Sequence, residues 1–127
     1  MRWIAKSYYE LGNIKEMYSW YYRAVAEAPE MREPYIECAQ IAYHLADWPL
    51  AFFMVEEALK ISEKVKTYVN MGYSWDHTPY DLGAISCYRL GMFNRSLKYA
   101  ETALSLKPDD ARLKKNLLLI KEKLDSV

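Results

Sequence analysis

The sequence has little of what catalytic, metal-binding or membrane-spanning proteins need. Its 127 residues include only two histidines, two cysteines and four glycines. Cys38 and Cys87 belong to no Cys-x-x-Cys pair and to no zinc-ligand spacing. Free cysteines in apolar helical surroundings are habitually buried, which points to reduced thiols and a cytoplasmic location. Gly12, Gly72, Gly83 and Gly91 form no phosphate-cradling loop, and two histidines among scattered carboxylates make no ligand set. No cofactor and no metal are expected. Charge of one sign is also missing, since seventeen Lys and Arg balance seventeen Asp and Glu. Without a net field there is no draw on nucleic acid or an anionic membrane. Charges interrupt every apolar run before membrane-spanning length, and Met1-Arg2-Trp3-Ile4-Ala5-Lys6 lacks a leader's apolar stretch and cleavage site. A soluble chain follows, with no nucleic acid and no membrane among its partners.

What is present is an apolar content of 52%, enough for one domain over residues 1–127 to bury its own core. That domain repeats itself. The pairs Leu11-Gly12, Leu45-Ala46 and Leu90-Gly91 serve as landmarks, spaced by 34 and then 45 residues. Ahead of them stand Ala5, Ala39 and Ala84 at one offset and Tyr9, Tyr43 and Tyr88 at another; behind them stand Ala24, Ala58 and Ala103. Pro34-Tyr35 and Pro79-Tyr80 open the second and third copies, while Pro29 and Pro108 close the first and third. Within each copy apolar residues recur every three or four positions, as in Ala39, Ala42, Tyr43, Ala46 and Ala51, Val55, Ala58, Leu59, so each copy reads as two helices.

The spacing places helices near 1–12, 15–28, 34–46, 49–65, 79–91 and 95–107. The domain divides into repeat one (1–32), repeat two (33–63), an insertion (64–76) that accounts for the longer second period, and repeat three (77–110). A capping helix at 111–124 carries Leu113, Leu117, Leu118, Ile120 and Leu124 on one side, as a repeat stack needs at its open end. At the N-terminus, the counterpart of Pro34 would fall just ahead of Met1, from which a fragment of a longer chain is expected. Pro34 and Pro79 suit the first turn of a helix, whose amides lack intrahelical partners. Ala58 and Ala103 are expected at helix–helix contacts, where a larger side chain would overpack at a cost of roughly 1–3 kcal/mol.

These residues resemble the tetratricopeptide repeat family over nearly the whole chain, through Ala5, Gly12, Ala24 and Pro29 and again through Ala84, Gly91, Ala103 and Pro108. The resemblance implies an all-α fold, a right-handed α-α superhelix of three helix pairs plus a C-terminal capping helix. Glu33-Pro34-Tyr35, Asp47-Trp48, Tyr73-Ser74-Trp75 through Pro79-Tyr80-Asp81-Leu82, and Pro108-Asp109-Asp110-Ala111-Arg112-Leu113 with Asn116 are further similar to repeats appended to bacterial family-2 glycosyltransferases. There the nucleotide-sugar chemistry lies in an upstream α/β domain, whose metal-binding Asp-x-Asp is missing here. The resemblance thus implies a non-catalytic interaction or assembly module of a glycosyltransferase, positioning a glycosylation acceptor or mediating homodimerisation. The alternative is a free-standing adaptor for a peptide or partner helix.

Stacks of this family bind through the concave face of the first helix of each pair. Here that face would present Lys6, Tyr9, Glu37, Gln40, Tyr43, His44, Asp81, Tyr88 and Arg89, extended by Lys115 and Asn116 from the cap. The repeated tyrosines either form a ladder that stacks on a ligand or pack between helices. A chaperone-type carboxylate clamp does not fit, because the positions aligned with Asn116 are Glu37 and Leu82. The insertion is rich in aromatics, with Tyr68, Tyr73 and Trp75 beside Asn70 and Gly72; it has a purpose of its own, or Trp75 pins it to the repeats. A catalytic reading would recruit His44, Asp76, His77 and Asp81, but no activated nucleophile accompanies them. No enzymatic activity is expected of this chain.

Overall fold

The computed structural model describes residues 2–62 and 72–126, the side chains of Arg2 and Trp3 excepted. The described residues form seven α-helices and no strand: α1 (Arg2–Glu10), α2 (Ile14–Glu27), α3 (Arg32–His44), α4 (Trp48–Leu59), α5 (Thr78–Arg89), α6 (Phe93–Leu106) and α7 (Ala111–Asp125). A single 3-10 turn, Gly72–Ser74, precedes α5. Helices α1–α2, α3–α4 and α5–α6 pack as antiparallel pairs; α2 then meets α3, α4 meets α5, and α7 closes the stack on α6. This is the expected superhelix of three pairs and a cap.

The landmark pairs turn out to be helix stops. At the end of α1 the amide of Gly12 donates to the Tyr9 carbonyl and that of Asn13 to the Tyr8 carbonyl, at 3.0 and 2.8 Å. Ala46 and Asp47 donate likewise to Tyr43 and Ala42, and Gly91 and Met92 to Tyr88 and Cys87. Each pair of bonds is a Schellman closure, which satisfies the last carbonyls of the helix and requires a left-handed residue. Gly12 and Gly91 supply it at φ 78° and 79°, and Ala46 is forced into it at φ 58°. The left-handed region costs a residue with a Cβ roughly 1–2 kcal/mol. Ala46→Gly is therefore expected to stabilise the protein by about 1 kcal/mol, after allowing for glycine's looser unfolded state. A thermal melt should rise by about 3 °C, and an unchanged or lower midpoint would contradict it.

The residue after each stop starts the next helix. The Asn13 side chain accepts from the Glu16 amide and that of Asp47 from the Leu50 amide, each at 3.3 Å, which satisfies one of the four free amides at the start of α2 and one at the start of α4. Met92, the third counterpart, makes no side-chain cap. The aligned alanines Ala5, Ala24, Ala39, Ala58, Ala84 and Ala103 are all buried, as close approach of helix axes requires. The core falls into two parts. One runs from Ala5, Met17 and Tyr21 through Ile36, Cys38 and Ala39 to Val55, Ala58 and Leu82; the other joins Ala84 and Ala100 to Ile120 of the cap.

Three details differ from the sequence reading. Helix α3 begins at Arg32, two residues before Pro34, because the third residue of a helix also has no intrahelical acceptor for its amide. Helix α4 ends at Leu59, with Lys60 as its cap, rather than running to 65, and the Ile61 carbonyl is taken by Arg32 instead. On α7 the packed stripe is Leu113 and Ile120, both buried, with Leu117 and Leu124 partly buried; Leu118 is 60% exposed because one residue beyond Leu117 turns the side chain about 100° off the stripe. Residues 63–65 of the expected fourth helix and residues 64–71 of the expected insertion, Tyr68 and Asn70 included, lie outside the described residues.

Candidate interaction groove

The closures fix where the recurring tyrosines stand. Each occupies the second-last helical position of a first helix and lends its carbonyl to the left-handed residue. Tyr43 then meets Trp48, the first residue of α4, edge to face at 5.6 Å, and Tyr88 meets Phe93, the first residue of α6, at the same distance. One side of each ring thus holds a helical hairpin shut. All three rings are half-buried, packed against the core on one side and open to the groove on the other. Packing on one side leaves the other side of each ring accessible, since an aromatic ring has two faces and an edge.

Two cavities lie along this face and share Tyr43. The larger, about 510 Å³, is lined by Lys6 and Tyr9 from α1, by Glu37, Gln40, Tyr43 and His44 from α3, and by Asp81 from α5. Tyr21, Ile41 and Leu82 form its floor, and Thr78 and Tyr73 complete the wall. The second, about 300 Å³, has Tyr43, Tyr88, Arg89, Arg112 and Asn116 around Ala84, Ile85, Leu119 and Ile120. All the expected groove residues from the repeats therefore line one cavity or the other, as does Asn116. Lys115 is exposed on α7 and lines neither.

At the joint between the cavities Asp81 accepts two hydrogen bonds from the Arg112 guanidinium, at 3.2 and 2.5 Å. The hydrogen bond to Asp81 raises the Arg112 pKa from its ordinary value, with burial opposing. An exposed pair of this kind contributes about 0–1 kcal/mol, so its main effect is to fix the direction of α7 against α5. Arg89 lies over the Trp48 ring at 5.5 Å, and the His44 ring meets Tyr43 at 5.4 Å. The trough thus has an apolar floor and a rim of both charges, with tyrosine edges between.

Sequence reasoning missed Tyr73, Thr78 and Arg112 as groove residues, and it missed Arg32 altogether. Arg32 is 7% exposed, donates from Nε to the Ile61 carbonyl at 2.7 Å and from Nη1 to the Ser74 carbonyl at 3.1 Å, and lies 4.1 Å over the Trp75 ring. Its burial lowers its pKa, against the pull of Tyr80 and Glu33. The one available signal was an Arg-Glu pair directly ahead of Pro34, where the third copy has His77-Thr78 ahead of Pro79. Trp75 does pin the described end of the insertion, as one of the two sequence readings had it.

The residues of the catalytic reading fall in two places. His44 and Asp81 line the larger cavity, whereas Asp76 and His77 precede α5, with Nδ1 and Oδ2 3.8 Å apart. Burial pushes the Cys38 thiol up to about 12 and that of Cys87 up to about 11, which keeps both protonated and poorly nucleophilic. Among the described residues no three His, Cys, Asp or Glu are placed to hold a metal ion, and no helix is long and apolar enough to cross a membrane. A third cavity, about 360 Å³, lies between the second helices, lined mainly by Tyr22, Val25, Tyr35, Leu50, Phe53 and Met54.

No protein-family model matches the sequence, and no curated protein matches it either. Among solved structures, the NMR structure of the first TPR domain of the human RPAP3 protein superposes with a TM-score of 0.74 at 17% sequence identity. The match covers 98% of this chain and 90% of that one. At that identity the likeness speaks for the fold, which is a tetratricopeptide-type stack.

Proposed function

We propose that this chain is a non-catalytic helical-repeat module that takes an extended polypeptide segment of a partner in its concave groove. The observation that carries the reading is the pair of cavities joined at Tyr43. A continuous trough with an apolar floor and a polar rim suits a peptide, whose side chains alternate in character while its backbone needs hydrogen-bonding groups along its length. Cytoplasmic placement belongs to the same reading and is supported by two buried, free thiols.

The test uses peptides enriched on the parent protein from a random library displayed on phage. A Tyr43→Ala, Tyr88→Ala double variant, shown by circular dichroism to keep its helices, should bind them at least roughly tenfold more weakly, the equivalent of about 1.4 kcal/mol. Equal affinity in both proteins would remove the groove from consideration.

The association with a glycosyltransferase is supported by the resemblance of the Glu33-Pro34-Tyr35, Tyr73-Ser74-Trp75 and Pro108-Asp109-Asp110 segments. In that setting the bound segment is the glycosylation acceptor, and exposed apolar side chains such as Phe53 and Leu118 offer a route to homodimers. The same double change, made within a glycosyltransferase bearing these repeats, should reduce transfer to acceptor while leaving hydrolysis of the nucleotide sugar unchanged. Loss of both activities together, or of neither, would count against acceptor positioning and favour the free-standing adaptor.

A further inference from the structure

The insertion and the groove are separate features of the sequence, but Tyr73 belongs to both. Helix α3 grips the segment before α5 at three consecutive residues. Arg32 and Glu33 open the helix, and Glu37 lies one turn above Glu33 on the same face. The guanidinium of Arg32 joins the carbonyls of Ile61 and Ser74, which stand on either side of residues 62–73, and its flat face covers Trp75. A planar fork with fixed donor directions can do this, whereas an ammonium group is a point charge with no face. The Trp75 Nε1–H donates to Glu33 Oε2 at 3.1 Å, and the Tyr73 hydroxyl donates to Glu37 Oε1 at 2.7 Å. Tyr73 and Glu37 both line the larger groove cavity, alongside Gln40, His44 and Thr78. Arg32 itself does not.

We propose that Tyr73 is a ligand-contacting residue of the groove and that Arg32 is the positioning residue that holds it there, a proposal that rests on the groove reading above. The inserted segment then makes the groove of this stack different from that of a plain three-repeat stack. A phenol oxygen and a carboxylate side by side both accept hydrogen bonds, so the group they select in a bound peptide is a donor, such as a backbone amide or a basic side chain.

Two measurements on the full chain test this. In amide correlation spectra, Arg32→Lys keeps the charge but loses the fork and the flat face. It should shift the Trp75 indole N–H signal and, with it, the backbone amides of Gln40, His44 and Thr78. A shift confined to Trp75 and its sequence neighbours would overturn the positioning role, because the clasp would then be a local staple. In titrations with phage-selected peptides, Tyr73→Ala and Arg32→Lys should each weaken binding roughly tenfold while Tyr73→Ala stays fully helical by circular dichroism at the titration temperature. If Arg32→Lys does not fold, Tyr73→Ala and Tyr73→Phe carry the binding test alone. Parent-like affinity in Tyr73→Ala would overturn ligand contact and leave the groove reading standing. If the parent enriches no peptide, the groove reading itself fails and ligand contact with it, and the spectra still decide whether Arg32 shapes the cavity.

Discussion

Replacing Arg32 with methionine should lower the free energy of unfolding by about 3–5 kcal/mol, because it removes two hydrogen bonds from a charged donor, each worth roughly 1.5–3 kcal/mol. Methionine keeps much of the stem's volume, so the loss isolates the guanidinium. That group supplies donors to two backbone carbonyls, one of them in a bond buried between α3 and the 3-10 turn. It also supplies the cation over Trp75, a contact contributing about 2 kcal/mol when desolvated. A further part of the cost falls on Glu33, which is fully buried and feels the Arg32 charge. The apportionment is testable in the same experiment. In urea, Arg32→Met should move the midpoint to lower concentration with an unchanged slope, and adding Glu33→Gln should restore part of the loss. A single-variant cost below about 1 kcal/mol would mean that the clasp is solvated and of little consequence.

The contrast between what the sequence made visible and what it did not follows from range. The helix stops at Gly12, Ala46 and Gly91 are local events, each set by bonds between residues three and five apart, so they recur with the repeat and can be aligned. The same holds for the tyrosines, whose carbonyls serve those stops, and for the alanines that let helices approach. Most of the candidate groove residues on the first helices were legible for the same reason: once those helices are in register, one face of each is fixed by the 3.6-residue period. Arg32 to Ser74 and Trp75 to Glu33 are instead contacts between positions 42 apart, made once and in one copy only. No periodicity announces them, and an aromatic-rich insertion shows neither which way its rings turn nor which helix receives them. The early end of α4 belongs to the same class, since the carbonyl that leaves the helix there is satisfied from α3. Leu118 is a simpler case: it is apolar and next to the stripe in sequence, but adjacent helical positions face different ways.

Gly83 gives the second large effect, with a sign opposite to the usual expectation. Glycine inside a helix is ordinarily less favourable than alanine by about 1 kcal/mol, so Gly83→Ala in α5 would by default stabilise. Here a Cβ would meet three atoms of the Tyr99 ring at 2.9, 3.0 and 3.1 Å. The ring has little room to give way, because its hydroxyl donates to Glu56 of α4 in a short hydrogen bond and Tyr80 flanks it at 6.3 Å between centroids. Glu56 is held in turn by Arg95, at 2.9 Å, whose guanidinium lies 5.0 Å over Phe52. Burial and the bond to Glu56 raise the Tyr99 pKa well above its ordinary value, so the donor is present at any working pH. Overpacking a site of this kind costs roughly 1–3 kcal/mol for a single added group, which exceeds the gain in helix propensity. Gly83→Val, with two further carbons against the same ring, should lose about 3 kcal/mol and about 10 °C in the thermal midpoint. The aligned residues of the second copy, Cys38 and Met54, show the same place filled with the bulk divided differently between the two helices. Removing the ring should therefore reverse the sign: in a Tyr99→Leu background, Gly83→Ala is expected to stabilise by up to about 1 kcal/mol, whereas in the parent it destabilises. If Gly83→Ala raises the melting temperature of the parent, the ring is free to move aside and Gly83 is not what lets α5 and α6 approach.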